Sequence, residues 1–124
     1  MCCIVLKLYY LCGMNTEKNI SQMRKGVLEL CILAIISRSG DVYASDILDR
    51  LKEAELIVVE GTLYPLLTRL KNDGLLSYRW EESKSGPPRK YYQITPEGDA
   101  LFAELTTGWN ELVMAVDQLI KKEI

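Results

Sequence analysis

Between Thr62 and Lys71 the chain carries two hydroxyls (Thr62, Thr68), a phenol (Tyr64), a guanidinium (Arg69) and an ammonium (Lys71), and no acid falls among them. Groups of this kind donate hydrogen bonds to phosphate oxygens and to base edges, so the chemistry they offer is recognition of a polyanion. A second set, Lys84, Arg89, Lys90 and Tyr91, brackets Gly86-Pro87-Pro88 and offers more of the same. Bond-making chemistry has little to work with. The chain has no histidine, and its cysteines (Cys2, Cys3, Cys12, Cys31) form no C-x-x-C pair, which removes the usual zinc ligands and their spacing. The carboxylates Glu97, Asp99, Glu104 and Glu111 form no catalytic pair, and there is no glycine-rich phosphate loop, so neither an enzyme, a metal centre nor a cofactor is expected.

These residues must be held by something, and the hydrophobic period says what. Leu63, Leu66, Leu67 and Leu70 recur at i, i+3, i+4 and i+7, the signature of an amphipathic helix, and Gly74 is placed to stop it. Pro65 sits inside this helix and removes its main-chain bond to Gly61. Ahead of it, Gln22 to Ser37 is apolar nearly all round, which predicts a buried central helix with Ser21 as N-cap and Gly40 beyond its end. A second helix is expected from about Tyr43 to Ala54, with Ile47, Leu48 and Leu51 inward, and Leu56 to Val59 reads as a β-branched connector.

After Gly74 the period changes to two. Leu76, Tyr78 and Trp80 alternate with polar partners, as do Tyr92 and Ile94, and between them Ser83 to Pro88 reads as a long basic tip where proline stops the ladder. Three helices followed by such a hairpin form a winged helix-turn-helix. The fold class is mainly α with a small β-hairpin, completed by a last helix that starts at Thr95-Pro96-Glu97. That helix carries Leu101, Leu105, Trp109, Leu112, Val116, Leu119 and Ile120 at spacings of mostly three and four. It would be roughly 40 Å long, more than the winged-helix body covers, so its stripe calls for a second copy across a two-fold axis. Thr106-Thr107-Gly108 marks a soft point at which it is expected to bend or break.

Charge is distributed unevenly. The chain has 124 residues and a net charge of −2. Within it, residues 61–92 carry six cations against three acids (+3), and residues 93–124 carry two cations against six acids (−4). A local basic segment in an acidic chain suits a specific DNA contact better than a general polyanion binder. Residues 1–22 read as an N-terminal extension. Within them, 1–13 is apolar but interrupted by Lys7, too short for a membrane span of about 20 residues, and Met14 reads as the natural start.

Several stretches in order resemble one known family. Lys25-Gly26 before an aliphatic helix, Gly61 to Leu70 ending in Asp73-Gly74-Leu75-Leu76, Arg89 to Thr95, and Gly98 look like the PadR family of bacterial transcriptional regulators, over about residues 23–122. The chain departs from the family's pattern at Tyr43-Ala44-Ser45-Asp46, where many members carry a glycine, and at Pro88, where glycine or arginine is frequent. The resemblance, to the smaller subfamily with one short C-terminal helix, implies a cytoplasmic homodimeric repressor, some of whose relatives answer to aromatic or drug-like ligands.

On that basis residues 23–95 form the DNA-binding domain and 96–124 the dimerisation helix. Thr62, Tyr64, Pro65, Thr68, Arg69 and Lys71 are expected in a major groove of a pseudo-palindromic operator, and Lys84, Arg89, Lys90 and Tyr91 on the flanking minor groove or backbone. Trp109 is expected at the subunit interface or in a pocket for a flat effector. Two other readings fit the residues alone: a winged-helix module that binds an acidic protein, and a small-molecule sensor without DNA binding.

Overall fold

The computed structural model describes residues 2–56 and 58–121, with side chains from residue 16 onward. Helix α1 spans Cys2–Ser39, strand β1 Val42–Tyr43, α2 Ala44–Glu53, α3 Glu60–Asn72, β2 Leu76–Ser83, β3 Gly86–Ile94 and α4 Pro96–Lys121. Residues 122–124, where the last helix was expected to finish, and Ile57 of the connector lie outside the described residues.

The first helix is far longer than its buried part. It begins at Cys2, so Ser21 is an interior helical residue and not a cap, and residues 2–22 continue the central helix. The polar run around Glu17 and Lys18 contains no proline, and Gly13 alone costs about 1 kcal/mol, too little to end a helix. Among the described side chains, the first buried one is Leu28. From there Ile32, Leu33 and Ile36 form the centre of a core completed by Ile47 and Leu51 of α2, Leu63, Leu67 and Leu70 of α3, and Leu76 and Tyr92 of the sheet. The i, i+3, i+4 and i+7 positions of α3 therefore point where their spacing requires.

Two glycines end helices as anticipated, Gly40 at φ 77° and Gly74 at φ 80°, in the left-handed region that disfavours a side chain. Between Gly40 and α2 the chain does something the period cannot reveal. Val42 and Tyr43 pair with Tyr92 and Tyr91, so the hairpin becomes a three-stranded antiparallel sheet in the order β1-β3-β2, and α2 starts one residue later than expected.

The wing is also tighter than its sequence implies. The strands run to Ser83 and from Gly86, leaving only Lys84 and Ser85 as the turn. Pro87 and Pro88 stand inside β3. They are tolerated because the ladder is irregular between Glu81 and Ser83, and β1 covers β3 only at Tyr91 and Tyr92, leaving a free edge beside the prolines.

α4 runs unbroken from Pro96 to Lys121. The suspected break at Thr106-Thr107-Gly108 does not occur. Thr106 Oγ1 donates to the Phe102 carbonyl (2.8 Å) and Thr107 Oγ1 to that of Ala103 (3.2 Å), so both hydroxyls are satisfied within the helix. Its start is fixed as the sequence foretells: the Gly98 amide donates to Thr95 Oγ1 at 3.0 Å.

Candidate nucleic-acid interface

α3 divides its polar residues between two neighbours. Positions 64, 68 and 71 follow one another at helical spacing on the flank toward the wing, and 62, 65 and 69 fall on the other flank. Tyr64 and Thr68 line a groove of about 580 Å³ between α3, the start of α2 and β3, which Tyr43, Arg89, Lys90 and Tyr92 complete. Thr68 Oγ1 donates to the Tyr64 carbonyl (3.1 Å), so its hydroxyl is oriented by its own helix and keeps its lone pairs for a donor. Lys71 Nζ lies 5.5 Å from the centre of the Tyr78 ring. Tyr64 is half exposed at the groove, while the adjacent Tyr92 phenol is buried and pushed upward in pKa by that burial.

The opposite flank faces α1. Arg69 Nη2 is 3.2 Å from Glu29 Oε2, and Thr62 lines a small recess with Arg24 and Lys25. Arg69 is thus separated from the groove that Tyr64 and Thr68 enter, a division that the helical period alone did not disclose. Pro65 is exposed on the outer surface of α3. Helix continues through it, since the carbonyl it leaves unpaired belongs to exposed Gly61, where water can take the donor's place.

The two faces of the wing carry different chemistry. On the outer face Tyr43 and Tyr91 stack with centroids 3.8 Å apart, Arg79 lies over Tyr91 (4.9 Å) and Arg89 over Tyr43 (5.2 Å). Arg79 is further tied to Asp41 at 2.6 Å and Glu81 at 3.2 Å, and its hydrogen bond holds the Asp41 carboxyl below its ordinary pKa. Hydrogen bonding with the Tyr43 phenol raises Tyr91 above the ordinary tyrosine value, and Tyr91 stands on this outer face, away from the core. On the inner face Lys90 Nζ lies 4.4 Å from the centre of Tyr78 and 5.2 Å from that of Trp80. Lys84 is exposed on the turn. Arg79 and Trp80 were absent from the residues singled out by sequence; the alternation of Tyr78 and Trp80 gave their faces but not their partners.

The residues chosen along α4 part company. Leu101 and Leu105 pack against the protein's own core. Trp109, Leu112 and Val116 instead line a largely apolar cavity of about 590 Å³ with Ile20, Met23 and Val27 of α1, and Leu119 and Ile120 lie beyond it, exposed.

The helix, support helix and wing match known proteins as a unit. The model of the transcriptional regulator PadR-like family matches residues 32–104. This chain belongs to that family. An uncharacterised protein from Lysinibacillus sphaericus is 30% identical over 100 residues, covering 78% of this chain and 91% of its own length. Among solved structures, a PadR-like transcription factor from Bacteroides fragilis is 58% identical with a TM-score of 0.69, over 82% of this chain and 98% of that one. A PadR family regulator from Eggerthella lenta superposes with a TM-score of 0.82 at 28% identity, over 90% and 96% of the two chains. A PadR-like regulator from Bacillus cereus is 39% identical with a TM-score of 0.73, over 82% and 99%. The PadR membership makes this a winged-helix DNA-binding transcriptional regulator, a class of regulators and not of enzymes.

Proposed function

We propose that this PadR-family protein is a homodimeric, sequence-specific repressor whose paired α3 helices enter successive major grooves of a pseudo-palindromic operator. In this reading Tyr64, Thr68 and Lys71 meet base edges and phosphates from α3, Thr62, Pro65 and Arg69 lie on the rim toward α1, and Lys84, Arg89 and Lys90 bind the flanking backbone. The observation that carries the reading is the exposed apolar face of α4. Trp109, Leu112 and Leu119 are 42%, 54% and 78% exposed, and Met23 and Ile20 of α1 stand exposed beside them. So large a contiguous apolar surface is unusual for a monomer, and a second copy of the same helices is the partner that a two-fold arrangement supplies.

The cavity beside Trp109 supports a regulatory role for the same face. It is apolar and wide enough for a flat aromatic or drug-like effector, which would act by favouring a dimer with a different separation of its α3 helices.

Substitution of both Lys71 and Lys90 by alanine tests the groove. Two lost phosphate contacts should weaken binding at every sequence, lower the salt slope by about two and leave the dimer intact. Unchanged affinity in a binding assay across salt concentrations would remove the α3 and wing groove from the interface.

A further inference from the structure

Trp80 is 61% exposed, yet it stands on the sheet face that holds the core. Along β2 the side chains of Leu76, Tyr78 and Trp80 share one face, and their partners on β3 are Ile94, Tyr92 and Lys90. Leu76 and Tyr92 are buried beneath the helices, Tyr78 is half covered, and Trp80 emerges where the wing passes beyond the body. It is held there. The Tyr78 ring meets it edge to face, with centroids 6.2 Å apart and planes at 90°, and Lys90 Nζ lies 5.2 Å from its ring centre.

The four residues form one row from helix to wing: Lys71, Tyr78, Lys90 and Trp80, with both ammonium groups over the Tyr78 ring. This row borders the groove that contains Tyr64 and Thr68, because Lys90 belongs to both. Its two charged members are both cations. A positive row ending in an oriented, exposed indole fits an anion with flat apolar surfaces, which describes the sugars and bases of duplex DNA between their phosphates.

We propose that Trp80 is a DNA-contacting residue of the wing, its indole against sugar or base surface in the groove the wing enters, with Lys90 and Lys71 at the neighbouring phosphates. This rests on the proposed assignment of the α3 and wing groove to DNA. The ring contacts set the two cations and the indole side by side, so the row can act as one contact. Trp80 thereby extends the readout from α3 into the flanking sequence, where groove width and flexibility differ between sites.

The probe is a labelled duplex that the intact protein retains from a random-sequence pool. Trp80→Ala should weaken binding to it about tenfold, with Trp80→Phe retaining most of the affinity. The salt slope should stay unchanged in Trp80→Ala, since an indole displaces no counterions. In a Trp109→Phe chain first shown to bind the duplex as the intact protein does, Trp80 is the sole tryptophan, and its quenching by acrylamide should fall when the duplex saturates the protein. Should Trp80→Ala fail to fold, that quenching measurement decides by itself. Normal duplex binding with quenching of Trp80 undiminished overturns the proposal while leaving the regulator reading standing. Failure of the intact protein to retain any duplex overturns both.

Discussion

At the scale of single residues, the side chains of α3 are set apart by what each one touches. Tyr64, Thr68 and Lys71 border the wing, whereas Arg69 is paired with Glu29 across the other flank. An exposed pair of this kind contributes about 0–1 kcal/mol, so the guanidinium can be drawn from Glu29 by a phosphate at little cost. In the proposed complex Glu29 then competes with DNA for Arg69. Glu29→Gln should tighten duplex binding by up to about fivefold at low salt, an effect that fades as salt rises, and a binding isotherm showing weaker binding would refute the competition. The sequence made the polar face of α3 legible through its 3.6-residue period. It did not disclose the pairing with Glu29, because a contact between residues 29 and 69 depends on how α1 and α3 cross. The same holds for Tyr91, whose type suggested a contact with DNA but whose stack with Tyr43 depends on strand register.

At the scale of elements, the join between α3, the sheet and α4 is the most tightly specified part of the chain. Thr95 donates its hydroxyl to the Gly74 carbonyl at 2.7 Å and its amide to the Leu75 carbonyl at 3.1 Å, and it caps α4 through the Gly98 amide. Gly98 is pressed against this turn: an added Cβ would run into the Leu75 carbonyl oxygen and come within 2.7 Å of Ile94 Cγ1. Backbone cannot yield as a flexible side chain does. Gly98→Ala should therefore destabilise the protein by about 2 kcal/mol or more, read as a drop in thermal midpoint of several degrees, and an unchanged midpoint would mean the turn is free to move. The functional consequence is coupling, because the end of α3 and the beginning of α4 cannot shift independently. Local signals made most of this visible: Thr-Pro-Glu as a helix start, Gly74 as a helix stop, alternation in β2. The elements that escaped were those decided by long-range pairing. β1 is two residues long and exists because β3 offers it an edge, and the prolines of β3 are accepted because that edge is free around them. The continuity of α1 through residue 21 escaped for a different reason, since a polar stretch with Asn15, Thr16, Asn19 and Ser21 offers middling helix propensity and no amphipathic stripe to betray it.

At the scale of the whole molecule, charge and apolar surface are segregated. Cations exceed acids by three across α3 and the wing (residues 61–92), and most of the exposed large apolar residues lie on α4 and the adjoining part of α1. In the proposed reading an acidic chain thereby presents one basic surface to DNA and one apolar surface to its own copy, with the Thr95 and Gly98 join between them. The stripe on α4 and the length of that helix were readable in advance. Its division was not, because only packing shows that Leu101 and Leu105 serve the core while Trp109, Leu112, Val116, Leu119 and Ile120 stand free of it. The central claim is that two copies joined through this face set two α3 helices about one helical turn of DNA apart, near 34 Å. It is tested most directly by measuring mass in solution, with and without the retained duplex, for the intact protein and for Leu112→Asp. The prediction is a dimer that binds the duplex as two copies, and a Leu112→Asp monomer that remains folded and loses tight binding. A monomeric intact protein that saturates the duplex one copy at a time, or a Leu112→Asp variant that still dimerises and binds as well, would contradict it.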